Sequence, residues 1–132
     1  MVKRWLAIAL LLVPTLLLAD SPPGPLKVGY QRWSPPDCKA LIHGTASSCE
    51  SKDCKALITN NDAMCETGDC KAVIRHSDSL CESRRCRALV NNDDVYCHSE
   101  KDCRAYVDNN ATLCESRSCK AILQHNDNYC GE

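Results

Sequence analysis

The chain has 132 residues, 12 of them cysteine, with no phenylalanine and a formal net charge of −1. One small domain is expected at this length, and a cysteine content of this order is typical of secreted disulfide scaffolds. The near-neutral charge argues against a nucleic-acid binder, which normally carries a strong basic excess.

The first element, residues 1–19, is predicted to be a secretory signal peptide. Lys3 and Arg4 precede an apolar run that ends at the small residue Ala19, and these are the parts of a cleavable export signal. A membrane span needs roughly 20 apolar residues, whereas this run is shorter and contains Pro14. We expect cleavage after Ala19, no stable membrane span afterwards, and a secreted or periplasmic location; a retained anchor is the alternative.

Residues 20–33 are predicted to form a Pro/Gly-rich linker. Three prolines and a glycine fall within residues 22–25, so the stretch is expected to run extended rather than helical. Tyr30 and Trp33 are the exception, because they are expected to fold back over the exposed end of the first repeat, as terminal caps do in solenoids.

Residues 34–132 contain six copies of a 16-residue unit. Successive cysteines are separated alternately by 11 and 5 residues, with a single interval of 6 between Cys97 and Cys103. Internal repetition of this kind indicates a repeat architecture. After the first cysteine of each unit come a basic residue, an alanine and two apolar residues, which is helical spacing.

Cap residues delimit two helices in each unit. Ser or Thr stands before the first cysteine, as at Ser51 and Thr67, and a second cap type follows seven residues after it, as at Asn61. In the fifth unit the inserted residue moves the predicted cap to Ser99. The predicted fold class is therefore an all-α, disulfide-stapled solenoid of six short helical hairpins.

The predicted disulfides lie within units. An antiparallel hairpin would bring the start of its first helix near the end of its second, within the roughly 4.4–6.8 Å Cα separation of a disulfide. The interval inside a unit is constant, and pairing across the short interval leaves Cys38 and Cys130 without partners. The predicted pairs are Cys38–Cys49, Cys54–Cys65, Cys70–Cys81, Cys86–Cys97, Cys103–Cys114 and Cys119–Cys130. Such hairpins are expected to stack through their alanines into a rod or gentle superhelix very roughly 50 Å long.

The basic column is the candidate binding site. Stacked in register, its residues would form a ladder that meets an anionic cell-surface polymer. The alternative is that the glutamates after the second cysteines (Glu50, Glu66, Glu82 and Glu115) neutralise it. The ladder consists of Lys39, Lys55, Lys71, Arg87, Arg104 and Lys120.

Other chemistry is not indicated by the sequence. The short cysteine interval is only marginally similar to zinc-ligand spacing, and export favours oxidised cysteines, so no metal or other cofactor is expected. The four histidines are expected at solvated turns or on the surface. No nucleophile elbow, phosphate loop or metalloprotease motif is present in the sequence, and we expect a protein that is not an enzyme.

The unit at 54–65, CKALITNNDAMC, resembles a Cys-x-Ala-Leu…Asp…Cys repeat of poorly characterised exported bacterial proteins, over residues 38–130. The resemblance implies a helical repeat and export, and carries over no catalytic or binding residue. The predicted arrangement of hairpins is also similar to the longer disulfide-clamped hairpins of Sel1-like repeats. The expected function is structural or binding, towards an unknown protein or an anionic polymer. The alternatives are a thiol or metal buffer, or a secreted inhibitor or effector whose contact patch includes Tyr30, Trp33 and Tyr106.

Overall fold

A computed structural model describes residues 25–131. This part of the chain is all-helical, as predicted, and contains six short α-helices without a strand. The predicted signal peptide and residues 20–24 lie outside the described residues. In the order of the chain the helices are α1 (Pro35–His43), α2 (Lys52–Thr59), α3 (Gly68–Arg75), α4 (Arg84–Asn91), α5 (Lys101–Asp108) and α6 (Arg117–Gln124).

The helix starts confirm the cap prediction in five of six units. In α2, for example, the Ser51 hydroxyl accepts a hydrogen bond from the Cys54 amide at 3.1 Å. Ser34, Thr67, Ser83 and Ser116 cap the other four helices in the same way. The prediction of Ser99 was wrong: Glu100 precedes α5 and forms no side-chain cap bond.

Each helix ends at a residue in the left-handed conformation, which ends the α-helical hydrogen-bond pattern. Glycine or a short polar side chain tolerates this conformation best, and asparagine occupies three of the six positions. The C-cap residues are Gly44, Asn60, His76, Asn92, Asn109 and His125.

The second helix of each unit is a single 3₁₀ turn. A three-residue 3₁₀ turn rises about 6 Å, whereas an eight-residue α-helix rises about 12 Å, so the turn does not run back to the start of its own helix. These turns are Ala46–Ser48, Asp62–Met64, Asp78–Leu80, Asp94–Cys97, Ala111–Leu113 and Asp127–Cys130.

The predicted disulfide pairing was wrong. The second cysteine of each unit bonds to the first cysteine of the next unit, with Cα–Cα distances between 5.4 and 5.7 Å. Because the 3₁₀ turn is short, the second cysteine, which ends or directly follows it, lies beside the first turn of the next unit's helix. The bonds are Cys49–Cys54, Cys65–Cys70, Cys81–Cys86, Cys97–Cys103, Cys114–Cys119 and Cys38–Cys130.

The six units form a closed ring, so the expectation of an open rod was also wrong. Helix α1 packs against α6 and against the last 3₁₀ turn. The Cys38–Cys130 bond joins the sixth unit to the first, in the same way as the other disulfides join successive units. His43 and Asp127 make a 2.9 Å contact there, equivalent to the Arg75–Asp62 pair between the third and second units. Ring closure therefore supplies partners for the two cysteines that an open chain would leave unpaired.

Residues 25–33, here termed the central segment, place the buried side chains of Val28, Tyr30 and Trp33 in the core of the ring. Its first six residues form a 3₁₀ helix, Pro25–Tyr30, and not the extended stretch that the composition suggested. The helix packs on α3, α4, α5 and α6, while the Tyr30 hydroxyl reaches Asp53 of α2 at 3.3 Å. Tyr30 and Trp33 do fold back, but into the middle of the ring.

The core consists of cysteines, alanines and aliphatic residues from every unit, together with the central segment. The alanine two residues after the first cysteine is at most 1% exposed in all six units, which lets neighbouring helices approach closely. The aliphatic residue after this alanine is buried in units two, three, four and six, whereas unit five has the buried Tyr106 at that position.

Tyr106 occupies the space left by Gly29 of the central segment. A Cβ atom built on Gly29 would lie 2.3 Å from the Tyr106 ring. We expect Gly29→Ala to destabilise the protein by about 1–3 kcal/mol through overpacking. In a protein that also carries Tyr106→Val, the same substitution should cause only a small part of this loss. A double-mutant cycle followed by urea unfolding measures the coupling, and additive effects of the two substitutions would contradict the contact.

The inserted residue in the fourth connection is accommodated by a tight turn. The Cys97 carbonyl accepts a hydrogen bond from the Glu100 amide at 3.0 Å, and His98 has φ 52° and ψ −124°. These angles belong to the first central position of a type II′ turn, which favours glycine.

His98→Gly is therefore expected to stabilise the protein by about 1 kcal/mol, because the strain of a non-glycine residue there, about 1–3 kcal/mol, exceeds the entropic cost of glycine. Thermal or urea unfolding measures the change. His76→Gly is the matched control, because His76 adopts the milder left-handed helical angles; its expected change is within about 0.5 kcal/mol. A His98→Gly variant less stable than this control would contradict the assignment of strain.

Candidate functional site: the irregular cleft and the basic belt

Buried aspartates fasten the connections between units. Asp37, Asp53, Asp69 and Asp102 each stand directly before a first cysteine and are at most 9% exposed. In each, Oδ1 accepts hydrogen bonds from the two backbone amides after the second cysteine of the same unit, at 2.6–3.4 Å. We term this arrangement the aspartate lock. The sequence analysis did not identify it, although the fourfold recurrence of aspartate at one repeat position was visible.

In two of the locks the second carboxylate oxygen also has a partner. Oδ2 of Asp53 accepts the Thr67 hydroxyl, and Oδ2 of Asp69 accepts the Ser83 hydroxyl, each at 2.6 Å. The cap residue of the next helix thus bonds both its own helix and the preceding unit. Such charge-assisted hydrogen bonds are among the stronger ones in proteins.

The lock aspartate is missing from two units: the sixth, where Ser118 stands at its position, and the fourth, where the connection is irregular. Arg85 stands in place of the aspartate in the fourth unit, whose connection carries the extra residue. Its Nε donates to the Gly29 carbonyl at 2.5 Å, and its guanidinium lies 3.9 Å from the Glu100 carboxylate. Arg85 therefore bonds to the central segment, whereas the aspartate at this position in other units bonds to the connection.

A cleft of about 350 Å³ opens beside this irregular connection. We term it the irregular cleft; it lies at the N-terminal ends of α4, α5 and α6, beside the central segment. Three cations and three carboxylates line it, so its formal charge is balanced. The lining residues are Arg32, Arg85, Glu100, Lys101, Asp102 and Glu115.

Asp102 differs from the other locks at the wall of this cleft. Its Oδ2 is buried without a hydrogen-bond partner, the single such side-chain atom within residues 25–131. The Ser116 hydroxyl lies 3.4 Å from the Ser118 hydroxyl and is also close enough to the Asp102 carboxylate to lower its pKa. Burial alone would raise the pKa of Asp102, but hydrogen bonding by Ser116 and Glu115 and the charge of Arg85 hold that pKa below its usual range. Asp102 is therefore an ionised carboxylate at neutral pH.

The six residues of the predicted ladder occupy equivalent positions around the closed ring. Each follows a buried first cysteine and is exposed or half-buried. Together they form a circumferential set, here termed the basic belt, instead of a ladder along one side of a rod. None of them forms an ion pair within the part of the chain that the structure describes. Lys39 acts only at longer range: the His43 hydrogen bond is the main cause that lowers the pKa of Asp127, and the charge of Lys39 adds to it.

The glutamates expected to neutralise these cations have other partners. Glu66 pairs with Lys52 at 3.5 Å, and Glu115 pairs with Lys101 at 3.4 Å. Glu82 accepts a hydrogen bond from the Gly68 amide, and Glu50 accepts one from a serine hydroxyl. Their contacts lie at the helix starts, so the charges of the basic belt are not cancelled by direct pairs with these four carboxylates.

Four clusters, each of one aspartate and two cysteines, have side chains close enough together to resemble a set of metal ligands. In each, a carboxylate oxygen and two sulfur atoms lie within 4.8 Å of one another. The two sulfurs are the halves of a single disulfide, however, and the carboxylate oxygen already accepts backbone amides. These clusters are aspartate locks beside their disulfides, and a metal would require the cysteines as reduced thiolates.

Comparison with known proteins adds no relative. A scan against protein-family models, a search of curated proteins and a search of solved structures each found no significant match. Among residues 25–131 no helix has the length and apolar character needed to cross a membrane. Six intrachain disulfides in a small helical protein indicate an oxidising setting, such as the extracellular space or the periplasm.

Proposed function

We propose that the protein is an exported, non-catalytic scaffold that binds an anionic cell-surface polymer through the basic belt. The observation that carries the proposal is that six outward cations occur at one repeat position without ion-pair partners in the described chain. A cation that is not neutralised by a neighbour is available to an external anion. Because the ring is closed, the belt offers contacts around its whole circumference to a flexible polymer.

Rigidity supports this function. Every described cysteine is in a disulfide, and each connection with an aspartate is fastened a second time by its carboxylate. A preorganised array of charges loses little conformational entropy when it binds a polymer. The repeat thus supplies a stable frame in an environment where folding cannot be assisted by cytoplasmic factors.

Binding to heparin, as a model sulfated polymer, tests the proposal. In the oxidised protein, replacing Lys55, Lys71 and Arg87 together by glutamine is expected to weaken binding at least tenfold at low salt. It should also reduce the slope of log K against log salt by about 2 to 3, since fewer counterions are released. Fluorescence titration at several salt concentrations measures both quantities.

The matched control removes three cations that are already paired. Lys52, Arg75 and Lys101 each contact a carboxylate within 4.0 Å, so their replacement by glutamine changes the net charge equally. This control is expected to change the affinity less than threefold. Equal losses in both triple variants would show non-specific attraction, and an absence of heparin binding at 50 mM salt would reject the polymer as ligand.

Two alternatives have distinct signatures. A thiol or metal buffer would show titratable thiols or bound metal in protein isolated without reductant, whereas the scaffold is expected to show neither. An inhibitor or effector was expected to use Tyr30, Trp33 and Tyr106 as its contact patch. That expectation was wrong, because all three side chains are buried, between 1% and 6% exposed.

A further inference from the structure

One asparagine of the chain lies in the acceptor sequence for N-linked glycans. Asn110 is followed by Ala111 and Thr112, and no other asparagine of the sequence has a serine or threonine two residues after it. The triplet Asn-x-Ser/Thr, with any residue except proline in the middle, is the acceptor for glycan transfer to an exported chain. Export is also what the disulfides indicate, since they form and persist in oxidising compartments.

The acceptor lies where an external enzyme can reach it. Asn110 directly precedes the fifth 3₁₀ turn, Ala111–Leu113. Residues 108–110 and Thr112 are exposed, and Ala111 between them is half-buried. The surface around Asn110 therefore has room for a glycan without displacing the core.

The disulfides leave this segment free to deform locally. Cys103 bonds to Cys97 and Cys114 bonds to Cys119, so both cysteines of the fifth unit pair with neighbouring units. No cross-link falls on residues 104–113 between them. An enzyme can therefore bend the segment without breaking a disulfide.

The side chain of Asn110 uses only its oxygen within the fold. Oδ1 accepts the Thr112 amide at 3.1 Å and the Thr112 hydroxyl at 2.6 Å. Nδ2, the atom to which an N-linked glycan is attached, has no hydrogen-bond partner within residues 25–131. Both bonds of Oδ1 are exposed, and such bonds contribute little net free energy because water replaces them. The nitrogen is therefore accessible, and the hydroxyl can be released to an enzyme at low cost.

We propose that Asn110 is an N-glycosylation site that receives an oligosaccharide from a lipid-linked diphosphate donor. Nδ2 forms a bond to the anomeric carbon of the donor sugar, while the bond from that carbon to the diphosphate oxygen breaks. The lipid diphosphate leaves with the electron pair, and one proton moves from Nδ2 to a base of the transferase. The product keeps Oδ1 and one N–H, so the bond from the Thr112 amide survives the modification.

The equivalent positions of the other units explain why a single site is expected. Asn61 and Asn126 occupy the same repeat position as Asn110, but Ala63 and Asn128 stand two residues after them and have no hydroxyl. The fifth unit alone combines the amide nitrogen with the hydroxyl. No residue of the basic belt takes part, so glycosylation and polymer binding are tested separately.

Mass spectrometry of the protein isolated from the organism that encodes it is the first test. After reduction and cleavage at glutamate, the peptide 101–115 is expected to be heavier than its amino-acid sequence by a whole number of sugar residues. Fragmentation is expected to place the added mass on Asn110. An unmodified peptide 101–115, or a sugar on Thr112 instead, would overturn the proposal.

Variants produced in the same organism separate the modification from the fold. Asn110→Asp keeps Oδ1 as a cap acceptor, as Asp93 does in the fourth unit at 3.0 Å, but has no amide nitrogen, so the added mass is expected to disappear completely. Thr112→Ala is expected to remove the added mass as well, whereas Thr112→Ser retains the hydroxyl and should retain the glycan.

Asn126→Asp is the matched control, because it makes the same substitution at an equivalent cap that lacks the hydroxyl residue. The glycan is expected to stay in place in this variant. Its loss there, or its retention in Asn110→Asp, would contradict the assignment.

Discussion

The Cys38→Ala/Cys130→Ala variant is expected to lose about 4–5 kcal/mol of unfolding free energy, the largest loss from removing any of the disulfides. This bond joins residues 92 positions apart, and in the chain-entropy treatment a loop of about 100 residues contributes about 4.7 kcal/mol. It is also the covalent connection between the last unit and the first. Urea unfolding of the oxidised variant, at constant pH, measures the loss.

The control for this prediction is Cys65→Ala/Cys70→Ala. That bond spans five residues, and the same treatment assigns about 2 kcal/mol to so short a loop. Both variants remove two sulfurs from buried or half-buried positions, so the difference between them reports the loop length. Equal losses would mean that the Cys38–Cys130 bond does not constrain the unfolded chain as ring closure requires.

Trp33→Ala is expected to cost about 3–5 kcal/mol, in the range for truncating a large buried aromatic residue. The Trp33 ring packs edge-on against Tyr30 with centroids 5.6 Å apart, and its Nε1 donates to the Val28 carbonyl at 2.9 Å. Truncation would leave a cavity in the centre of the ring and a buried carbonyl without its donor. Thermal or urea unfolding gives the magnitude.

Tyr129→Ala is the matched aromatic truncation. Tyr129 is 36% exposed in the last 3₁₀ turn, and its loss is expected to cost less than about 1 kcal/mol. If Trp33→Ala cost no more than Tyr129→Ala, the central segment would not be part of the cooperatively folded ring.

Local features of the fold could be predicted because they depend on neighbouring residues. Ser51 and Thr67 cap their helices because a short side-chain oxygen accepts a hydrogen bond from an amide of the first turn. The left-handed C-caps at Asn60 and Asn92 were not predicted. The repeat period also determined the number of units. The cap inferences concern segments shorter than one repeat, where local hydrogen bonding dominates.

The disulfide pairing depends on a global property, and the sequence pattern is compatible with either rule. Pairing within units gives every cysteine a partner in an open stack. Pairing between successive units gives every cysteine a partner only if Cys130 bonds to Cys38. The constant interval within a unit favours a cross-linked loop inside the unit. The structure instead places the inserted residue inside a cross-linked loop, where the turn at His98 absorbs it.

The central segment and the irregular cleft were beyond local analysis for a similar reason. Pro25 and its neighbours are typical of a linker, and only the closed ring provides a cavity that Tyr30 and Trp33 can fill. Arg85 is an ordinary surface residue by its sequence context. Its role follows because it replaces a lock aspartate in the unit that precedes the inserted residue. A comparison of the repeats shows the replacement, but its meaning depends on knowing what the aspartates do in the structure.

Digestion at glutamate tests the ring directly, because every connection between units contains one. Cleavage after Glu50, Glu66, Glu82, Glu100 and Glu115 separates the backbone into pieces that each carry the two cysteines of one unit. Without reduction, mass spectrometry is expected to find a single species that retains all the pieces, even in the Cys49→Ala/Cys54→Ala variant, where Cys38–Cys130 still holds the first piece. Release of six separate pieces from the unmodified protein, or of the first piece from that variant, would contradict the closed ring.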